Sequence, residues 1–335
     1  MSILPIDTGR YGTKEMLDIF KEQKKIDYQL DIEAAAALSQ SEIGLISTSI
    51  AKDIAKVSKS GKITAKRIKQ LESKSDHDTA ALVEALAEKC KKESRPWIHY
   101  GLTSNDLVDT SNSMQMRDAI KIIQPKVSKL SLLLSKNAVK YKKVPAVGRT
   151  HGQHASIISF GLKFANWAAE MSTHLERLDE IKKRVLICKT MGVVGTGSLM
   201  GKNAIRVQER VAKKLGLYPA KVTTQIIPRE RYAEYIFQMA LLGATLEKIA
   251  VEIRNLQRTE IAEVSEHFKK GQMGSSAVPT KRNPIKSERI SSLSKLLRSQ
   301  ISISFENIPL WHESCLLYTS PSPRDLSTSR MPSSA

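Results

Sequence analysis

Apolar residues recur at every third or fourth position over long stretches of this chain, the spacing of one face of an α-helix. No proline interrupts Arg229 to Val278, and Met239, Leu242, Leu246, Ile249, Ile253 and Leu256 stand at steps of 3, 4, 3, 4 and 3. Thirty-odd residues at about 1.5 Å each predict a rod of roughly 50 Å. A second rod is predicted from about Ala155 to Leu186, with Phe164, Ala168, Met171, Leu175, Leu178, Ile181 and Val185 on one stripe. A third runs from about Asn105 to Tyr141, with Pro125 expected to interrupt or kink it. A fourth begins at Pro284 and carries Ile290, Leu293, Leu297 and Ile301, with Asn283 suited to cap it and Pro284 to open it. One-sided seams of this length must be buried against each other, so the fold expected is all-α, an oligomeric long-helix bundle.

Residues 14–90 read as shorter helices, with turns at Ser60-Gly61-Lys62 and Lys74-Ser75-Asp76. A boundary near Ser94-Arg95-Pro96 divides an N-terminal helical domain, 1–95, from the long-helix bundle, 96–313. Strand signals are scarce, and Val222 to Ile227 is the one modest candidate.

Composition narrows the class. Cys90, Cys188 and Cys315 have no metal spacing and cannot form a disulfide framework, which points to a reducing compartment. No uncharged run approaches the ~18 residues of a membrane span, and no secretory signal opens the chain. A cytoplasmic protein is expected, with no membrane partner. The formal charge is +19. Lys and Arg are spread through 52–69, 89–95, 136–143 and 182–184 with no nucleic-acid motif beside them. A basic surface with a pocket for small anions therefore fits better than a nucleic-acid partner.

The densest chemistry lies in GSSAVPTKRNPIKSE, residues 274–288. Gly271 and Gly274 loosen the backbone, Ser275 and Ser276 offer hydroxyls, Lys281 and Arg282 bring positive charge, and a helix start follows. Mobile hydroxyls, cations and a helix N-terminus suit a reaction that develops negative charge on oxygen. His151 lies in GRTHGQHAS, and histidine is the side-chain type suited to donating a proton near neutral pH. His154 follows without a third ligand at zinc spacing, so no metal is expected. MGVVGTGSLMGKN, residues 191–203, fails as a P-loop at Thr196 and Asn203 and as a dinucleotide fingerprint at Met200.

The 274–288 block resembles the signature loop of the fumarase/aspartase superfamily, in the form GSSAMPxKRNPxxSE found in its adenylosuccinate lyase family. Val278 replaces the usual Met, and Thr280 the usual His or Tyr. By that resemblance Ser275 is the proton acceptor, His151 the proton donor, and Ser276, Lys281, Arg282 and Asn283 meet the substrate. Other segments match in the same order. SDHDTAAL implies that His77 and Asp78 line the site, with His77 orienting the acid, although Asp76 stands where Arg or His is usual. HYGLTSNDLVDT implies carboxylate binding by Thr103 and Ser104, with His99 beside them, while Thr103 or Ser104 also suits capping the next helix. GRYGTKEM implies that Arg10 and Tyr11 reach a nucleotide phosphate, and Gln225 in VTTQIIPRERYAEY matches a nucleotide-contacting glutamine.

The resemblance implies release of fumarate from succinyl-purine nucleotides, with no cofactor or metal. It also implies a homotetramer whose sites are shared between subunits. Argininosuccinate lyase or a cycloisomerase is the rival within the superfamily, and a basic helical nucleic-acid-binding scaffold the rival outside it. In the family an Arg-Asp pair and a further helical region follow LWHE, residues 310–313 here. The chain continues instead from Ser314 as SCLLYTSPSPRDLSTSRMPSSA. Residues 314–335 are expected to be a non-native disordered tail, the third domain to be missing, and the polypeptide to be weakly active or inactive.

Overall fold

The computed structural model describes residues 11–269, 271, 274, 277, 278, 280–310 and 312–314. The helices in chain order are α1 (Lys14–Ile19), α2 (Glu22–Glu42), α3 (Thr48–Ser58), α4 (Ala65–Ser75), α5 (Asp78–Lys89), α6 (Ser104–Lys140), α7 (Phe160–Val185), α8 (Ala204–Leu215), α9 (Glu230–Leu256) and α10 (Ile285–Glu306). The strands are β1 (Pro145–Thr150), β2 (Gln153–Ser159), β3 (Ile187–Cys188) and β4 (Tyr218–Pro219). The all-α reading holds, and none of the described helices is long and apolar enough to cross a membrane.

The chain divides into two compact units: Met1–Ile123, Lys182–Arg231 and Pro309–Ala335 form the first, Gln124–Ile181 and Tyr232–Ile308 the second. α6 runs through Pro125 as one helix of 37 residues, so the expected interruption does not occur. The unit division nevertheless falls beside that proline.

In the first unit the turns predicted at 60–62 and 74–76 separate α3 from α4 and α4 from α5. Ser47 and Thr64 cap α3 and α4 by accepting the N–H groups of Ile50 and Arg67. The buried run Ala34–Ala37 is small enough to let α3 and α8 pack on α2. Ile32, Ile54, Leu82, Leu86, Leu107 and Ile120 fill the core.

The second unit holds the rest of α6, most of α7 and α9, and α10. α7 buries Met171, Leu178 and Ile181 on its predicted stripe. Ser131 Oγ donates to the Ala168 carbonyl, 3.2 Å, between α6 and α7. His174 meets Thr245 Oγ1 on α9 at 2.9 Å, and Lys163 pairs with Glu252 at 2.6 Å.

Four expectations need correction. Residues 222–227 are irregular, because the Ile227 N–H is taken by a side chain, that of Asp109, rather than by a strand. The strands lie elsewhere: β1 and β2 form an antiparallel hairpin with a bulge between Gly148 and Arg149, and the two-residue β3 and β4 pair in parallel. α7 therefore starts at Phe160, not Ala155, since 153–159 belong to β2. α9 stops at Leu256, giving 27 residues and about 40 Å. Finally, the seams predicted on α9 and α10 are only partly buried. α9 buries chiefly Ala233, Ala240, Gly243 and Ala250, with Leu242 and Leu256. α10 buries Ser287, Ser291, Ser294 and Ser304 and leaves Ile290 and Leu297 exposed.

Candidate active site

Two carboxylates one turn apart on α6 organise the candidate residues of the first unit. Asp106 and Asp109 are fully buried. Asp106 accepts from the backbone N–H groups of Thr103 at 3.0 Å, Met191 at 3.3 Å and Gly192 at 2.9 Å, and pairs with the buried Lys189 ammonium. Burial pushes the Asp106 carboxyl up, against the pull of that ammonium and the N–H donors. The Lys189 carbonyl in turn accepts from Thr110 Oγ1 at 3.1 Å. Asp106 thus ties the start of α6, with Thr103 and Ser104, to the glycine-rich 191–203 segment. The cap on α6 comes from this reach-back of Asp106 to the Thr103 N–H.

Asp109 fixes the loop that carries Gln225. It accepts the Ile227 N–H at 2.7 Å and Arg229 Nη1 at 2.6 Å. Gly195, at φ +79°, lies against the same loop, and a Cβ there would collide with the Thr223 carbonyl oxygen. His99, at φ +62°, is gripped twice by the buried Glu33: its N–H donates at 3.0 Å and its Nδ1 lies at 2.7 Å. Burial acts to lower the His99 pKa, but the Glu33 hydrogen bond and charge override it and hold the imidazolium above its ordinary range. Gln40 Nε2 donates to the Tyr100 carbonyl at 2.7 Å, and Tyr100 Oη to the Leu199 carbonyl at 3.2 Å. His99 and Thr103 on one loop, Ser104 at the start of α6 and Gln225 on a second loop are therefore linked through the buried carboxylates and the 191–203 segment.

His77 and Asp78 stand at the start of α5. The Ala80 N–H donates to His77 Nδ1 at 3.3 Å, which leaves the ring proton on Nε2. The Asp78 carboxylate, 3.8 Å from the same Nδ1, instead accepts the Thr79 N–H at 2.6 Å. Both side chains are exposed. Tyr11 is half-buried, and Arg10 lies outside the described residues.

In the second unit His151 occupies the tip of the β1–β2 hairpin. Thr150 pairs with Gln153, so His151 and Gly152 form a two-residue turn with φ +54° and +75°. Positive φ at both positions is the primed turn that suits the twist of a hairpin. The imidazole is exposed there. Arg149 Nη2 pairs with Glu263 at 2.5 Å and ties the hairpin to the segment after α9.

Lys281 and Arg282 are exposed and Asn283 half-buried. With Arg254 and Arg258 they line a cleft of about 920 Å³ in which Glu288 is the one lining carboxylate. Four cations against one anion make a receptor for a polyanion. Asn283 does not cap α10. Its Nδ2 donates to the Gly274 carbonyl at 2.7 Å, and the helix N–H groups meet the Glu266 carboxylate instead. Ser275 and Ser276 lie outside the described residues. Among the described residues no three His, Cys, Asp or Glu side chains converge as metal ligands would.

Sequence reasoning missed Glu33, Asp106, Asp109, Lys189 and Glu266. The one local hint was the pair of acids three apart in SNDLVDT at a helix start.

The model of a family of lyases matches residues 9–296. The adenylosuccinate lyase of Methanocaldococcus jannaschii is 44% identical over 314 residues, covering 93% of this chain and 68% of that protein. The adenylosuccinate lyase of Methanothermobacter thermautotrophicus is 42% identical, covering 93% and 70%. Among solved structures, a fumarate lyase from Mesorhizobium sp. BNC1 superposes with a TM-score of 0.83 at 26% identity, covering 92% of this chain and 69% of that one. The 3-carboxy-cis,cis-muconate lactonizing enzyme of Pseudomonas putida gives 0.83 at 28%, covering 93% and 69%.

Proposed function

The chain belongs to this lyase family, and from that membership we propose that it splits a C–N bond by β-elimination, releasing fumarate in purine biosynthesis. Its substrates are adenylosuccinate, which gives AMP, and the succinylaminoimidazole carboxamide ribotide, which gives the carboxamide. The likeness to relatives named adenylosuccinate lyase over 93% of the chain carries this reading.

The chemistry assigns a task to each group. Ser275 takes a proton from the carbon beside a succinyl carboxylate. The electrons left behind form the fumarate double bond as the C–N bond breaks, and His151 protonates the departing nitrogen. Charge gathers on the carboxylate during proton removal, so cations and N–H donors must face it. Lys281, Arg282, Asn283 and Ser276 serve there, with Thr103 and Ser104 on the other carboxylate. Arg10, Tyr11 and Gln225 hold the nucleotide, while His77, Asp78 and His99 line the site. The four-cation cleft supports the choice of a polyanionic substrate.

Protonation from His151 demands exposure of a ring that the hairpin presents at its tip. A ring so far from any core needs a second surface to exclude water. The exposed apolar faces of the second unit favour a homotetramer with shared sites, working in the cytoplasm. No cofactor, nucleic acid or membrane enters the scheme.

A substrate panel tests the reading. Fumarate release from adenylosuccinate, with a fall of at least about 10²-fold on His151→Ala or Ser275→Ala, is expected. Turnover of argininosuccinate or a carboxymuconate in its place would overturn it.

A further inference from the structure

We propose that Glu266 is a positioning residue for this reaction: its carboxylate fastens the start of α10 while its backbone N–H is held by Gln257 at the end of α9, and together they hold the Lys281–Asn283 turn in place. The inference rests on the functional reading above and assigns a role to a residue outside the 274–288 block.

The N–H groups of the first turn of α10 need acceptors, and neighbours in sequence supply only some. Ile285 N–H goes to the Asn283 carbonyl at 2.9 Å and Glu288 N–H to the Pro284 carbonyl at 2.9 Å. Pro284 has no side-chain acceptor, and Asn283 is turned to Gly274. Glu266 takes what remains. Its Oε2 accepts the Lys286 N–H at 3.1 Å, and its Oε1 accepts both the Ser287 N–H at 2.8 Å and the Ser287 hydroxyl at 2.7 Å. A carboxylate at the positive end of a helix is also favoured by the helix dipole.

The same residue is anchored from behind. Its backbone N–H donates to Gln257 Oε1 at 2.9 Å, and Gln257 Nε2 donates to the Arg282 carbonyl at 2.9 Å. Gln257 directly follows α9, so Glu266 and Gln257 join the end of one bundle helix to the start of another and to the turn between them. Lys281, Arg282 and Asn283 stand within that closed frame. Cations that are to meet a charge developing on substrate gain most when they are fixed before the reaction begins. The geometry calls for a carboxylate: an amide would accept with one atom and point its own N–H at a donor with the other.

The test compares Glu266→Gln, Glu266→Asp and Lys281→Ala in the full chain by fumarate release, thermal unfolding and hydrogen exchange. Glu266→Gln is expected to lower kcat about 10- to 100-fold, with KM within about 3-fold and with unfolding close to wild type. The Lys286 and Ser287 amides should exchange at least about 10-fold faster, and Glu266→Asp should restore part of both losses. Unchanged exchange at 286–287 overturns the inference whatever the activity. Wild-type kcat in Glu266→Gln beside an impaired Lys281→Ala overturns it alone. Full turnover in Lys281→Ala sinks the functional reading and the catalytic role of Glu266 with it.

Discussion

α2 buries nearly its whole length in the first unit, whereas α10 in the second buries four serines and leaves Ile290, Leu296, Leu297, Ile303 and Phe305 exposed. The serine face lets α10 come close to α9: Ser294 Oγ donates to the Gly243 carbonyl at 2.8 Å, with Leu297 against the same glycine. Ile290, Leu297 and Phe305 stand beside the serines on the helix, while Leu296 and Ile303 lie exposed on the opposite side. Charge follows the same division. In the first unit Asp106, Lys189, Asp109 and Glu33 are buried and paired. In the second, His151, Lys281 and Arg282 are exposed. One unit completes its packing within the chain. The other leaves these candidate site groups and several apolar side chains of α10 exposed.

The largest effect should come from the buried pair. Asp106→Ala leaves the Lys189 ammonium and three backbone N–H groups without their acceptor and should cost about 3–5 kcal/mol in denaturant unfolding. Arg67→Ala, which removes an exposed partner of Glu88, should cost far less, because solvent screens that pair. Equal losses from the two would end the contrast between internal and surface pairing.

Next comes the seam. Each leucine or isoleucine buried on assembly contributes about 1.5–3 kcal/mol. Ile303→Glu, at a residue 54% exposed on the other side of α10, should therefore leave far-ultraviolet circular dichroism intact while sedimentation velocity shows a smaller species. An unchanged sedimentation coefficient would mean that this face is not an interface.

Backbone changes separate the units on a smaller scale. Gly152→Ala adds left-handed strain at φ +75° with nothing within 4 Å of the new carbon, and about 1 kcal/mol is expected. Gly195→Ala adds the same strain and a collision with the Thr223 carbonyl, so its cost should be clearly larger. A thermal melt of each variant measures the difference.

Helix existence was legible because periodicity is a local property, and α7 buries the stripe that its spacing marks. The serines that line the α9 contact of α10 were not, because spacing marks an apolar stripe and gives no signal for small polar residues at a close approach of two helices. The hairpin was hidden because its strands are exposed on both faces, Ile157 at 81%, and so carry no clean alternation. Its turn is His-Gly rather than the familiar Asn-Gly. The reactive motifs were readable as contiguous words. The carboxylates that hold them were not, because Glu33 meets His99 across 66 residues and Asp109 meets Ile227 across 118.

The smallest effects concern pH, and they have opposite signs in the two units. In the first, the Glu33 hydrogen bond holds His99 above its ordinary value of 6.5. Its stabilisation is complete below about 6.5, where the unfolded chain is also protonated, and is lost as pH rises through the raised folded value. The stability gap between wild type and Glu33→Gln should be widest on the acid side of 6.5 and should narrow toward pH 9. In the second unit burial pushes His174 below 6.5, aided by the Arg177 charge. Folding then favours the neutral ring, so its contribution is present above 6.5 and is lost as pH falls through the depressed value. Removing the ring with His174→Gln should therefore become less harmful as pH drops from 7 to 5. Melting temperatures of both variants against wild type across that range decide the matter, and gaps that move in the same direction would show that Glu33 does not govern His99.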